Sequence, residues 1–122
     1  MTVNWSDDSP IYRQLKARVL DMMLDGRLKA GDALPSVRQV AAEYQLNPIT
    51  VSRAYQELAE ENLVEKRRGL GMFVTDGAQQ ELLASERKRF LREEWPRILE
   101  RIRRLGLELD ELPAAGKKGG KR

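Results

Sequence analysis

One face of the helix predicted over residues 47–58 carries side chains that are suited to reading another molecule. The stretch NPITVSRAYQEL repeats an apolar residue every third or fourth position, so one side of this helix faces a core. The opposite side carries hydrogen-bonding groups and one apolar group: Ile49, Ser52, Arg53 and Gln56. In the major groove of DNA, arginine bonds bidentately to guanine, glutamine to adenine and serine to either, while an aliphatic group contacts the thymine methyl. The pattern favours a base-reading face over the alternative, a solvated surface shared with Glu57 and Glu60.

An arginine outside this helix is a second candidate for contact with DNA. Arg38 lies near the start of the helix predicted over residues 36–44 and off its apolar stripe. From there its side chain would reach a phosphate, or a base at the edge of the groove. The alternative is a surface ion pair with Glu43 or Asp32, which would contribute little to stability.

The turn KRRGLG brings three cations together with two glycines. Lys66, Arg67 and Arg68 lie beside Gly69 and Gly71. Glycine lets a backbone approach a phosphate closely or enter a narrow minor groove. Because a generic hairpin turn also uses glycine, the glycines alone are weak evidence. The adjacent cations make a contact with DNA the better interpretation.

The N-terminal part of the chain predicts one helix and a short strand. Ser9 as N-cap and Pro10 as first helical residue predict a helix that ends at Gly26. A turn-rich connection follows, in which Ala33-Leu34 is long enough for a short strand. These elements precede the two helices that carry the candidate contacts.

Those two helices predict a helix-turn-helix. Ser36 has Gln39 three positions later, which is the spacing of a capping box. Asn47 followed by Pro48 marks the start of the second helix. Since only the stretch QLN separates the helices, they must cross at a steep angle.

A β-hairpin is predicted after the second helix. Its strands are Leu63 to Lys66 and Met72 to Thr75, joined by the turn RRGLG. The order helix, short strand, helix, helix, hairpin is that of a winged helix-turn-helix. The expected fold is therefore mainly α with a small β-hairpin, followed by a short α-helical C-terminal segment.

That C-terminal segment is predicted to be one long amphipathic helix from residue 79 to residue 105, interrupted by Pro96. Its apolar side chains are too many to remain in water, and we expect them to pair with a second copy of the chain: Phe90, Leu91, Trp95, Ile98, Leu99, Ile102 and Leu105. The alternative is that the helix folds back on the preceding domain. A ligand pocket is disfavoured because the segment is short and has no polar cluster.

The composition excludes several classes of function. The 122 residues include neither cysteine nor histidine, so thiol, imidazole and the usual zinc and iron–sulfur chemistries are excluded. No nucleophile, base or metal set can be assembled, and we expect no enzyme, no cofactor and no metal; no small-molecule effector is indicated. The N-terminus lacks a signal-peptide pattern and no apolar run is long enough to span a membrane. We expect a cytoplasmic protein, found at the nucleoid when bound to DNA.

The distribution of charge adds a restriction. The formal net charge is +3, but residues 1–112 are nearly balanced and the positive excess lies in the tail AAGKKGGKR. DNA binding is therefore inferred from where particular charges lie. The tail is low in complexity and predicted to be disordered.

The stretch LPSVRQVAAEYQLNPITVSRAYQELAEENLVEKRRGLGMFV resembles the N-terminal domain of GntR-family bacterial transcription regulators. The form NPITVSRAYQEL, followed by a short helical C-terminus, is similar to the YtrA subfamily. The resemblance implies regulation of a neighbouring transporter operon. Larger members of the family carry a ligand-binding domain, which the resemblance does not predict for this chain. It implies that the following positions lie at DNA: Arg38, Asn47, Pro48, Thr50, Ser52, Arg53 and Gly71.

We therefore expect three segments. Residues 1–76 form a winged helix-turn-helix DNA-binding domain, residues 77–112 an α-helical dimerisation segment and residues 113–122 a disordered basic tail. The expected function is a sequence-specific transcription regulator, a homodimeric repressor on an inverted-repeat operator of double-stranded DNA. The alternative is a winged-helix protein-interaction module that acts through its apolar C-terminal helix.

Overall fold

The computed structural model describes residues 5–113, in two compact units that divide between Ala84 and Ser85. The predicted tail lies outside the described residues except for Pro113. The first unit contains three helices, a β-hairpin and the start of a fourth helix. Within the described residues no helix is both long enough and apolar enough to cross a membrane.

The first helix, α1 (Ile11–Leu24), begins one position later than the sequence predicts. Pro10 is its N-cap residue and no side chain caps it, so the prediction of a Ser9 cap was wrong. The Pro10 carbonyl accepts from the backbone N–H groups of Arg13 and Gln14. The side-chain amide of Gln14 also donates to the Ser9 carbonyl at 2.7 Å. The Gln14 side chain therefore ties the segment before α1 to the helix through the Ser9 carbonyl, while no side chain caps the first N–H groups of the helix.

The second helix, α2 (Val37–Tyr44), has the predicted capping box. Ser36 Oγ accepts from the Gln39 N–H at 3.0 Å, and Gln39 Oε1 accepts from the Ser36 N–H at 3.0 Å. The helix ends at Gln45, whose φ of 56° is left-handed. A left-handed residue at this position ends the helix and changes the direction of the chain before α3.

The third helix, α3 (Pro48–Glu60), starts where the sequence predicts. The side-chain oxygen of Asn47 accepts from the Ile49 N–H at 2.9 Å, and Pro48 fills the first helical position, where no N–H is needed. α3 packs against both α1 and α2. The helix-turn-helix is thereby confirmed.

The hairpin consists of β1 (Val64–Arg67) and β2 (Gly71–Val74), which pair antiparallel. Both strands lie one position away from the predicted bounds. The other edge of β2 pairs with the short predicted strand, because Ala33 lies opposite Phe73 in an isolated bridge and the Leu34 N–H donates to a β2 carbonyl at 2.8 Å. The segment before α2 is thereby tied to the hairpin.

The core of the first unit lies between the three helices and the hairpin. Its largest fully buried side chains are Met23, Val51, Leu58 and Val74. Tyr55 is also buried, and its hydroxyl donates to the Pro35 carbonyl at 2.7 Å. Burial raises the pKa of Tyr55 to about 12. The bond to Pro35 fixes the turn before α2 against α3.

The start of α4 (Ala78–Arg89) belongs to the first unit. Ala78 and Leu82 are buried in the same core. The side-chain amide of Gln79 donates at 3.2 Å to the carbonyl of the last residue of α1. The compact unit therefore extends to Ala84, past residue 76, where the sequence places the boundary.

In the second unit the helix continues through a π-helical turn, Phe90–Glu94, into α5 (Trp95–Arg104). The Trp95 N–H donates to the first carbonyl of that turn, an i to i−5 hydrogen bond. Pro96 has no N–H and its ring crowds the preceding turn, which explains the local widening. α5 ends before Gly106, whose φ of 71° matches the predicted stop. A 3₁₀ turn follows at Leu109–Glu111.

Candidate nucleic-acid interface

The two faces of α3 differ in burial as the sequence predicts. One face is buried and consists of Val51, Ala54, Tyr55 and Leu58. The other face is exposed, and we call it the reading face: Ile49, Ser52, Arg53 and Gln56. Ile49 is 76% exposed. The rigid attachment of one face to the core means that the other projects in a fixed direction, with donors, acceptors and a methyl-rich group suited to base edges.

The residues at the start of α3 are occupied in forming the helix. The carboxamide oxygen of Asn47 is used in the cap, which leaves its amide N–H groups for an external acceptor. Pro48 is exposed and Thr50 is half-buried. Together they set the point at which the reading face begins.

Arg38 lies exposed on the first turn of α2. The ion pair with Asp32 or Glu43 does not form among residues 5–113. The Asp32 carboxylate instead accepts from the backbone N–H of Lys29 at 2.8 Å. Arg38 is therefore a cation without a carboxylate partner in the described structure.

The wing, defined as residues 64–74, places Lys66 towards α3. Lys66 lines a cleft of about 560 Å³ with Ser52 and Gln56 of the reading face and with Met72 of β2. In the described chain it forms no ion pair. A cation without an ion pair therefore lies beside the reading face in the described structure.

Arg67 lies on the other side of the wing, because successive strand residues point in opposite directions. Its guanidinium carbon is 4.3 Å from the centroid of the Phe73 ring, and its Nη2 is 3.1 Å from the Glu65 carboxylate. Arg68, by contrast, is exposed and has no ion pair with any residue in the described range. The three cations of the turn therefore have different surroundings.

The tip of the wing exposes an apolar side chain that the sequence analysis did not select. Leu70 is 70% exposed, between Gly69 at φ 74° and Gly71 at φ 111°. Both φ values are left-handed, so glycine is required for this tight tip. The signal was present in the sequence, since an apolar residue between two turn glycines cannot be buried by the hairpin itself.

Contacts between α1 and α3 form the α1–α3 seam, a second feature that the sequence analysis missed. The guanidinium carbon of Arg53 lies 4.0 Å from the centroid of the Tyr12 ring. One turn further along both helices, Lys16 Nζ lies 3.3 Å from Glu57 and also pairs with Glu61. Residue 16 and residue 57 are 41 positions apart, so no local pattern could have indicated the contact.

The seam controls the charge state of Lys16. Burial lowers the pKa of Lys16, but the hydrogen bonds and charges of Glu61 and Glu57 outweigh it and raise the pKa above its ordinary value. Lys16 therefore stays cationic and neutralises acidic groups that adjoin the reading face.

The first unit matches a known family. The sequence model of the family described as bacterial regulatory proteins, gntR family, matches residues 11–74. This span runs from the start of α1 to the end of β2. This chain belongs to the GntR family. The predicted resemblance is confirmed, as is the expectation that the chain is a transcription regulator and not an enzyme.

The similarity of this GntR-family chain to particular relatives extends beyond the winged unit. It is 34% identical over 120 residues to the transcriptional repressor YtrA of Bacillus subtilis, covering 93% of this chain and 92% of the relative. A GntR-family regulator from Listeria monocytogenes has a TM-score of 0.75 at 29% identity, covering 95% of this chain and 100% of the other. YtrA from Sulfolobus acidocaldarius gives a TM-score of 0.57 at 27% identity, covering 75% and 97%. The YtrA subfamily resemblance is thus confirmed.

In the second unit of this GntR-family chain, the residues selected for dimerisation remain partly or largely exposed. Leu91 is 62% exposed and Leu105 is 60% exposed, while Phe90 and Ile98 are both 40% exposed. Trp95, Leu99 and Ile102 are of intermediate burial. Within residues 85–113 no apolar side chain is buried. Exposed apolar side chains that lie close together in this way are typical of interaction surfaces.

Proposed function

We propose that this GntR-family chain is a homodimeric repressor that reads an inverted-repeat operator in double-stranded DNA through α3. The observation that carries the proposal is the contrast in burial within that helix. Leu58 and Val51 are fully buried, whereas Ile49 on the opposite side is 76% exposed. A helix anchored in this way enters the major groove as a rigid body, because that groove is wide enough for one α-helix.

Each residue of the reading face has a specific role in the proposal. Arg53 bonds to the O6 and N7 atoms of a guanine, and Gln56 pairs with an adenine. Ser52 donates to or accepts from a base edge, and Ile49 packs on a thymine methyl group. These contacts carry the sequence preference.

Phosphate contacts fix the position of the helix in the groove. Lys66 and Arg38 are the cations best placed for this role, since neither is paired with a carboxylate in the described structure. Arg68 and the tip of the wing approach the adjacent minor groove, where Leu70 makes an apolar contact. The remaining proposed positions complete the interface: Asn47, Pro48, Thr50, Gly69 and Gly71. Arg67, on the other side of the wing, supports the hairpin through Phe73 and Glu65.

The dimer is supported by the exposed apolar residues of the second unit. Burying Phe90, Leu91 and Ile98 against a second copy would remove apolar area from water. A two-fold dimer then presents two copies of α3 to half-sites about one helical turn, roughly 10 base pairs, apart. Such a protein acts at the chromosome, so a cytoplasmic location belongs to the same proposal.

A fluorescence-anisotropy titration tests the proposal. The probe is a labelled duplex from the promoter region upstream of the chain's own gene, compared with a random duplex at matched salt. We expect Arg53→Ala to weaken specific binding by about 1–3 kcal/mol and to relax the preference at one base pair.

Arg27→Ala is the matched control, since Arg27 is an exposed arginine paired with Asp25 at the end of α1. It removes the same charge and should leave the base preference unchanged. A wild-type protein without preference over random DNA would favour the alternative, a protein-interaction module that acts through the apolar second unit.

A further inference from the structure

The ring of Tyr12 lies under the guanidinium group of Arg53, at 4.0 Å from ring centroid to guanidinium carbon. Tyr12 is only 9% exposed, so the surrounding core holds the ring in place. Its hydroxyl accepts from Arg13 Nε at 3.3 Å, which restrains the ring further. Arg53 itself is exposed on the reading face. A fixed aromatic surface therefore supports one face of an otherwise flexible side chain.

A neighbouring ion pair engages the carboxylate that would otherwise compete with Tyr12 for Arg53. Glu57 lies one turn after Arg53 on α3 and would be its natural partner on the helix surface. Lys16 occupies Glu57 instead, at 3.3 Å. On α1, Tyr12 and Lys16 are likewise one turn apart. The α1–α3 seam thus pairs Tyr12 with Arg53 and Lys16 with Glu57, and it leaves the guanidinium without a carboxylate in the described chain.

This arrangement matters for base reading because bidentate recognition requires a defined guanidinium plane. Arginine carries considerable rotamer entropy, and part of it is lost whenever the side chain is ordered on a base. A ring that covers one face of the guanidinium reduces this loss before DNA arrives. The N–H edge of the group stays available for the two parallel bonds to a guanine.

We propose that Tyr12 is a positioning residue that presets the guanidinium of Arg53 for base recognition. The inference rests on the proposed function, in which Arg53 reads a base. Tyr12 itself need not touch DNA. Its effect is exerted on base discrimination through Arg53.

A double-mutant cycle with Tyr12→Leu and Arg53→Ala tests the inference. Affinities are measured for the operator, for operators changed at single base pairs, and for random DNA. Tyr12→Leu should reduce discrimination about threefold to tenfold at the base pair that Arg53→Ala affects, and leave random DNA within about twofold. The double variant should discriminate no worse than Arg53→Ala alone.

Two further variants separate positioning from stability. Tyr12→Phe keeps the ring and should retain discrimination. Val19→Ala removes buried side-chain volume from the same helix without touching Arg53, and should lower the melting temperature while keeping discrimination. In the wild-type protein, the side-chain proton signals of Arg53 should be shifted upfield by the ring, a measurement that needs no variant to fold.

The outcomes distinguish the inference from the proposed function. If Arg53→Ala leaves the base preference unchanged, the reading role of Arg53 fails and the inference fails with it. If Arg53→Ala relaxes the preference and Tyr12→Leu does not, the inference alone is overturned. It is also overturned by unshifted Arg53 signals, by additive losses in the double variant, or by tighter binding of Tyr12→Leu.

Discussion

The guanidinium group of Arg67 lies 4.3 Å from the Phe73 ring, diagonally across the wing, while the adjacent Lys66 lines the cleft beside α3. Arg67 also bonds to Glu65, its neighbour on the same side of β1. Two adjacent cations therefore have different roles available to them. Arg67 stabilises the hairpin through Phe73 and Glu65. Lys66 lies at the surface that we propose contacts the DNA phosphates.

We predict that Lys66→Ala and Arg67→Ala affect DNA binding differently. Lys66→Ala should weaken operator and random DNA alike and reduce the slope of log affinity against log salt by about 0.9, because one phosphate contact is lost. Arg67→Ala should change that slope much less. Anisotropy titrations over a range of salt concentrations measure both. Equal changes of slope would show that Arg67 leaves Glu65 for a phosphate when DNA binds.

A second prediction separates the two faces of α3. Leu58 is fully buried, and Leu58→Ala should lower the free energy of unfolding by about 2–5 kcal/mol through the cavity that it leaves. Ile49→Ala, on the exposed face, should change that free energy by less than about 0.5 kcal/mol. Urea unfolding measures both values.

The same two variants should reverse their order in DNA binding. Ile49→Ala should lose operator affinity through a missing thymine contact, and Leu58→Ala should keep its base preference at temperatures where it is folded. A stable Ile49→Ala variant with unchanged operator affinity would remove Ile49 from the reading face.

Much of the first unit could be predicted because its signals are local. The apolar spacing of α3 fixes which side is buried, and the Ser36 box and the Asn47 cap fix where two helices begin. The prediction of a Ser9 cap failed because α1 begins at Ile11 with Pro10 as its N-cap residue, so Ser9 lies one position too early, and its carbonyl accepts from the Gln14 side chain. Local cap motifs compete with such contacts, and the sequence does not rank them.

The contacts that refine the candidate site are not local. Tyr12 meets Arg53, and Lys16 meets Glu57, only after α1 packs on α3. The different directions of Lys66 and Arg67 follow from strand alternation, but a strand shifted by one position reverses the assignment of faces. The packing of α1 on α3 and the register of the hairpin decide these details.

A third prediction concerns pH. Burial raises the pKa of Tyr55 to about 12, above its ordinary value of about 10. Between these values the unfolded chain releases a proton that the folded chain retains, so stability falls as pH rises from about 10 towards 12, by about 1.4 kcal/mol per unit. Tyr55→Phe should lose the bond to the Pro35 carbonyl and flatten this part of the profile. Parallel profiles of both proteins in urea unfolding would contradict the assignment.

The last prediction concerns the apolar residues of α5. Ile98 is 40% exposed and Ile102 is of intermediate burial, although both side chains are apolar. If a second copy covers them, replacing both with Asp places two unpaired charges in an apolar seam and should produce a monomer. Sedimentation velocity measures the change.

Arg97→Asp combined with Arg101→Asp is the matched control, because it adds two aspartates to the same helix at exposed polar positions. This control should remain a dimer. The monomeric variant should keep the fold of the first unit, because the core of that unit ends within α4. It should bind the operator far more weakly, because binding at one half-site no longer raises the effective concentration of protein at the other. A dimer that survives both aspartates at Ile98 and Ile102 would move the interface away from α5, and operator affinity would then be independent of these two residues.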